Sequence, residues 1–352
     1  MIVDRYLLGA VATPFVVGCV LLTAIFAAFV AAGVLADAAV GEMSASSLGQ
    51  LVALRCVIAA EVILPTAMFF AVLFAFERLN RDRELVALLA GGFSRRRLLR
   101  PVAVAGLLVL VLVAALALTA RPWAYRTTYL LEALASRPSV DAMQPGSFYR
   151  LGRDLVVTAS AIDPAAGRLE DVFARQQADG RLRIIRARSA RLSEADAEGT
   201  QIVEFVDGQS LTLVPDRSEG DRRHRFDVLR YRWSPDDIGA RQSNRRARAT
   251  ADLATSDVPR DVAELQWRRT LPWLTLGMTL VAGALGTVAP GRVTALRMAA
   301  AIVAYVLVFN IAAGARSAVE TGTLPQAPGI YWLPVLPFAL LGLLMLWLRR
   351  RT

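Results

Sequence analysis

The chain contains no lysine: all 40 of its Lys and Arg residues are arginine. A phosphate-binding loop of the P-loop type needs a lysine to reach the β- and γ-phosphates, and Schiff-base chemistry needs its amine. Both are excluded. Histidine is nearly absent, with His224 alone in the charged run Asp221-Arg222-Arg223-His224-Arg225. A histidine-based triad or a multi-histidine metal site would have to rest on that one residue, which reads as a solvated loop position. There are 2 cysteines, Cys19 and Cys56, both within long apolar runs. That excludes a disulfide framework and any paired-cysteine metal site and leaves two small packed side chains. No pair of carboxylates stands in a convincing buried setting. The chain therefore reads as a non-catalyst, with no catalytic residues, no metal ligands and no cofactor of its own.

Long uncharged stretches dominate what is present. Six of them, three on each side of a polar middle, run Tyr6–Ala36, Cys56–Phe76 (interrupted by Glu61), Pro101–Ala120, Thr270–Gly291, Met298–Ala315 and Thr321–Leu348. A bilayer core about 30 Å thick needs roughly 20 apolar helical residues, and ~17 suffice. The expected fold is thus an α-helical membrane protein with six transmembrane helices (3+3) and an inserted all-β domain. Its divisions are 1–120 for helices one to three, 121–268 for the extramembrane domain and 269–352 for helices four to six. The first stretch is far longer than a signal-peptide core and reads as a retained helix.

Net charge is +10, and the excess lies at helix ends rather than in the middle domain, which argues for topology rather than nucleic-acid binding. Arg78, Arg81, Arg83, Arg95, Arg96, Arg97 and Arg100 crowd the loop between helices two and three. Arg292, Arg297 and the terminal Arg349-Arg350-Arg351 fall on the same side. Basic short loops stay cytoplasmic, whereas long domains are translocated regardless of charge. Both termini are expected in the cytoplasm and residues 121–268 outside it. Glu61 is a lone carboxylate in a span. Lying two turns from the outer end and near Arg55, it is expected to reach the headgroups.

Residues 147–233 carry short β-rich runs: Asp154–Ala161, Leu169–Gln176, Arg181–Leu192, Thr200–Val206, Ser210–Val214 and Arg225–Trp233. Asp179-Gly180 and Asp207-Gly208 read as tight hairpin turns, with looser turns at Asp163-Pro164 and Ser218-Glu219-Gly220. Antiparallel strands at this spacing imply a sandwich or jellyroll. Trp123–Ser136 reads as a helix continuing helix three, and Ser234–Pro259 as a solvated connector.

The loop at 78–97 reads Arg-Leu-Asn-Arg-Asp-Arg-Glu-Leu-Val-Ala-Leu-Leu-Ala-Gly-Gly-Phe-Ser-Arg-Arg-Arg. Residues 81–90 favour helix, with Leu85, Leu88 and Leu89 at i, i+3 and i+4 on one face, and Gly91-Gly92 end it. Such a helix suits either the groove of a cytoplasmic partner or the membrane surface.

At these residues the chain resembles the LptF/LptG permease family of lipopolysaccharide export. The resemblance is carried by Val-Ile-Leu-Pro at 62–65, Arg83-Glu84-Leu85 followed by Ala-Gly-Gly-Phe-Ser, and Arg121-Pro122-Trp123. It continues in Gln144-Pro145-Gly146-Ser147-Phe148, Ala263-Glu264-Leu265-Gln266-Trp267-Arg268 and Pro290-Gly291-Arg292. It implies the transmembrane subunit of an ABC transporter in the bacterial inner membrane, with a periplasmic jellyroll. It also implies an LptG-type permease partner, an LptB-type ATPase dimer carrying ATP and Mg, and an LptC-type periplasmic jellyroll protein. Within the resemblance Glu84 takes the place of an acidic coupling residue facing the ATPase, with Arg83, Leu85, Leu88 and Leu89 in support. Family members tend to carry basic residues near the outer end of helix one, where lipid phosphates would sit. Here Tyr6–Ala36 has no charge, a departure from the family pattern that leaves a phosphate contact by that helix an open question.

The implied cargo is a large amphiphile. Apolar faces of helix one (Leu21, Leu22, Ile25, Phe26, Phe29) and helix five (Ile302, Tyr305, Val306, Phe309) are expected either to line a lateral opening or to pack ordinarily. Leu155, Val157, Ile184, Phe205 and Leu213 are equally candidates for an acyl-chain path or for β-domain core. Two other classes compete: a membrane receptor or scaffold with an outer ligand-binding domain, and a mechanotransmitting ABC protein that moves nothing through its helices.

Overall fold

The computed structural model describes residues 2–38, 45–135, 143–151, 155–163, 167–178, 181–193, 201–213, 222–233, 244–288 and 294–349. The expected turns at Asp179-Gly180 and Ser218–Gly220, and the basic residues Arg292, Arg350 and Arg351, lie outside them. The chain divides into two compact units. One gathers Met1–Val34, Leu48–Thr127 and Arg245–Thr352; the other is Leu35–Ser47 with Thr128–Asn244.

The first unit is helical. Helix α1 (Ile2–Ala38) and helix α2 (Ala45–Arg81) follow the first two apolar stretches. A turn at Asp82-Arg83 separates α2 from the short α3 (Glu84–Ala90), with Arg83 in the left-handed region at φ 59°. Helix α3 closes as expected at the glycine pair. Gly92 adopts φ 83°, Phe93 N–H donates to Leu88 O and Gly92 N–H to Leu89 O, a paired closure that satisfies the last carbonyls. Ser94 then caps α4 (Arg95–Ala115) by accepting from Arg97 N–H. A π turn at Leu116–Ala120 joins α4 to α5 (Arg121–Ala135).

Beyond the β domain come two short helices, α6 (Asn244–Ala247) and α7 (Thr250–Ala254), where the sequence suggests only a solvated connector. Helix α8 (Pro259–Gly286) starts on a proline, packs against α4, α9 (Thr294–Glu320) and α10 (Val335–Arg349), and is the most enclosed helix described. Its small residues permit that closeness. A Cβ added at Gly286 would lie 2.5 Å from Phe76 Cβ.

Four of these helical runs are long and apolar enough to cross a membrane: Ile2–Val34, Leu48–Arg81, Arg95–Glu132 and Met298–Glu320. The last apolar stretch departs from expectation. Only Val335–Arg349 is helical, while residues 321–334 form successive turns around Pro325, Pro328 and Pro334, with Gly322 and Gly329 at positive φ. Proline cannot donate to a helical ladder, so apolar character alone does not make this segment a helix. Gln266 of α8 holds it, donating to Gln326 O and accepting from Ile330 N–H.

The second unit is an antiparallel β domain. Strands β1 (Tyr149–Leu151), β2 (Leu155–Asp163), β3 (Arg168–Ala178), β4 (Arg181–Leu192), β5 (Gln201–Leu213) and β6 (Arg222–Trp233) pair in sequence order as one sheet. Asp207-Gly208 is no hairpin: it lies inside β5, which replaces the two strands expected there. His224 likewise sits exposed on β6, opposite Ser210, rather than in a loop.

Register explains the change. Ser160, Asp171, Arg188, Asp207 and Asp227 fall in one line across β2 to β6, and pairing is continuous on both sides of it. Along that line the inward-facing set shifts by one residue. It changes from Leu155, Val157 and Ala159 to Ile162 in β2, from Val172 and Ala174 to Leu169 in β3, and from Ile185 and Ala187 to Ala190 in β4. Asp171 and Asp207 hold φ 47° and 53° there, a conformation that aspartate tolerates better than most side chains. The sheet is creased, and both halves turn their apolar faces to one core. Since β2 to β6 bend at the same position, no ladder slips. Gly208 permits the fold, because a Cβ there would strike the Phe226 ring and the Arg186 carbonyl. Gly208→Val should destabilise the chain by about 1–3 kcal/mol, read as a lower melting temperature and earlier proteolytic cleavage within residues 143–233.

Candidate functional site

The short helix α3 carries the residues that the sequence singles out. Arg83 is exposed and Glu84 half-buried at its start. Leu85 is fully buried, and Leu88 and Leu89 pack against the same helical core. The apolar face of α3 therefore turns into its own unit. The surface left to solvent is Arg83, Val86, Ala87, Ala90 and Gly91. A hydrophobic period announces that one face will be covered, not by what, and here the chain itself covers it. Glu84 accepts a 2.6 Å hydrogen bond from the Tyr6 hydroxyl of α1. Beside this pair a cavity of about 460 Å³ is lined by Ile2, Val3, Ala87, Leu88 and Phe93.

A second cluster lies farther along α2. Glu61 does not reach for headgroups: it is buried, 2.7 Å from Arg121 Nε and accepting from Trp267 Nε1 at 3.0 Å. Arg121 also donates to Glu264 at 2.7 Å. Glu264 is fully buried and receives three guanidinium groups, Arg121 and Arg268 on Oε1 and Arg316 on Oε2 at 2.7 Å. Arg316 continues to Glu320, which Arg245 meets from α6.

Arg268 has no exposed surface, yet each of its five N–H groups has an acceptor. Nε donates to Glu264, Nη1 to Arg248 O and Thr250 Oγ1, and Nη2 to Arg245 O and Arg246 O. Aromatic faces complete the cluster, with Arg316 over Trp267 and with Arg121 and Arg246 over Tyr125. A buried charge is tolerated only when paired and hydrogen-bonded, and this arrangement meets both conditions. The π turn at Leu116–Ala120 immediately precedes Arg121; its extra residue rotates the following face of the helix.

The sequence reading gave Arg245, Arg316 and Glu320 no part in a buried site, taking them as connector and loop charges. It used Arg121, Glu264, Trp267 and Arg268 only as marks of resemblance. Those marks were the available signal, since they are the residues that meet in the cluster.

The lipid-path candidates separate into groups. Phe29 is 79% exposed on α1, and Phe26 is half-buried. Tyr305 is buried between Phe69 and Phe309, with ring centroids 4.6 and 4.5 Å away, and its hydroxyl lies 2.9 Å from Thr66 Oγ1. That pair belongs to the packing of α9 on α2. Leu155, Val157 and Phe205 are β-domain core, whereas Ile184 and Leu213 are half-exposed.

Glu264→Ala would strand three arginines and should cost about 3–5 kcal/mol. Glu204→Ala, which removes the exposed partner of Arg230, should cost less than about 1 kcal/mol. Thermal unfolding of the two variants in detergent would measure the difference.

Comparison with known proteins agrees with these marks. Residues 5–349 match the family model "Lipopolysaccharide export system permease LptF/LptG". The chain is 25% identical, over 99% of its length and 95% of theirs, to the lipopolysaccharide export system permease protein LptF of Escherichia coli K12. The same identity and coverage hold for the LptF proteins of Escherichia coli O157:H7 and Shigella flexneri. A protein with several membrane-length apolar helices, an inserted antiparallel β domain and a family match over almost its whole length belongs to the LptF/LptG family of lipopolysaccharide export permeases.

Proposed function

We propose that this chain is the transmembrane subunit through which ATP hydrolysis on a separate LptB-type ATPase dimer drives lipopolysaccharide out of the inner membrane. An LptG-type permease would form the other half of the helical assembly, and an LptC-type jellyroll would receive the lipid outside. In this reading the chain crosses the membrane six times, with both termini cytoplasmic and the β domain periplasmic. Supporting that orientation is the concentration of arginine in the loop that holds α3.

The observation that carries the coupling role is the construction of α3. A left-handed residue and a glycine pair bracket it, and Leu85 anchors its inner side. The helix thus forms a rigid knob on the end of α2. Glu84 and Arg83 offer charge to an ATPase groove, while Leu85, Leu88 and Leu89 transmit its displacement inward.

Extraction is strongly uphill, because each buried acyl CH₂ contributes about 0.8 kcal/mol. Exposed Phe29 and half-buried Phe26 suit a lateral opening, whereas Tyr305 and Phe309 serve as its inner wall. In the β domain Ile184 and Leu213 are the candidates with surface to offer a lipid, with Leu155, Val157 and Phe205 shaping the core beneath. Glu84→Arg should abolish co-purification of the ATPase and cause lipopolysaccharide to accumulate in the inner membrane. Normal ATPase recovery and normal export in that variant would rule out the coupling role.

A further inference from the structure

Tyr6 lies on the second turn of α1, far in sequence from α3, yet its hydroxyl donates to Glu84 Oε2 at 2.6 Å. The next residue, Leu7, and Val11 one turn on are buried in the helical core, so the backbone carrying Tyr6 is held in place. On the other side Glu84 opens α3, whose position is set by the Arg83 turn and the buried Leu85. Two anchored elements therefore meet at this phenol and carboxylate, with Arg78 of α2 also beside the Tyr6 hydroxyl. Beside them lies the apolar cavity of about 460 Å³ lined by Ile2, Val3, Leu88 and Phe93. The hydrogen bond is a polar link between α1 and α3, set beside the apolar core that Leu7 and Leu85 share.

We propose that Tyr6 is a positioning residue for the coupling helix, resting on the coupling reading above. Its hydroxyl fixes the direction of the Glu84 carboxylate and joins α1 to α3. A carboxylate has about four acceptor sites, so Glu84 held by one phenol still has capacity for a guanidinium or ammonium group of the ATPase. The hydroxyl restricts which way that capacity points. Because α1 is a continuous helix of 37 residues that also carries Phe26 and Phe29, a displacement of α3 would reach the proposed lipid opening through this bond. At 1.5 Å per residue Phe29 lies roughly 35 Å from Tyr6 along the helix.

The test uses the full permease assembly in lipid nanodiscs with the purified ATPase, comparing Tyr6→Phe, Tyr6→Ala, Glu84→Gln and the Tyr6→Phe/Glu84→Gln double variant. Tyr6→Phe keeps the ring and removes only the hydroxyl. It should leave the melting temperature unchanged, weaken ATPase binding about fivefold and lower the lipid released per ATP hydrolysed. The double variant should bind no more weakly than Glu84→Gln alone, because the hydroxyl acts on binding through the carboxylate charge that Glu84→Gln already lacks.

Wild-type binding by Tyr6→Phe alongside weakened binding by Tyr6→Ala would make the ring merely structural and overturn the proposal. Additive losses in the double variant would overturn it too. Unchanged lipid release per ATP in Tyr6→Phe would overturn the link to α1. Wild-type binding by Glu84→Gln would instead defeat the coupling reading itself, and this proposal with it.

Discussion

The buried carboxylate of Glu264, gripped by Arg121, Arg268 and Arg316, is the interaction on which the helical unit depends. It ties α5, α8 and α9 at a single point, and through Glu61, Arg245 and Glu320 it extends to α2 and α6. Burial gives such a cluster its strength and its strictness. Charges removed from water attract strongly, but every one left without a partner is costly. The complete set of acceptors around Arg268 shows the condition being met in full. Helices packed by apolar contact alone could slide by a turn at modest cost, whereas these cannot slide without separating ions. The cluster thus fixes register as much as it stabilises.

This has a consequence along α2. Glu61 belongs to the ionic cluster, and the last turn of the same helix leads through Asp82-Arg83 into α3. Roughly 30 Å of continuous helix separates them. Between the two, Asn80 donates to the Gly286 carbonyl, and Phe76 fills the space that Gly286 leaves open. The middle of α2 is held by ions and its last turns by close contact with α8.

The β domain solves a different problem with different means. It has no buried ion cluster comparable to that at Glu264 among its described residues. Its core is apolar, formed by two halves of one sheet that face each other across a crease. A flat sheet of six strands would leave one apolar face exposed, and the crease encloses it. Aspartates that accept positive φ and a glycine without a Cβ make the bend compatible with unbroken pairing.

Much of this was legible in the residue order. Apolar length marked the helices, β-rich runs marked the strands, and the lack of lysine, the single histidine and the scarce cysteine narrowed the chemistry, because these properties are local. Local signals also misled where one signal serves two geometries. Asp-Gly permits positive φ in a hairpin and in a crease alike, and only strand pairing distinguishes them. The leucines of α3 announced a covered face without saying that the chain's own core covers it. Apolar residues 321–334 lacked charge but carried prolines, and the backbone donors decided for turns. Which charges pair in the ionic cluster lay beyond local reading, although the family resemblance marked several of its members. Glu61, Arg121, Glu264 and Arg316 are spread from one end of the chain to the other, and a charge gains a partner only when folding brings the partner to it. Composition and periodicity determined that the chain would be a membrane protein with an inserted β domain. Tertiary structure alone decided which charges are buried together, since the cost of burial depends on neighbours that no local stretch contains.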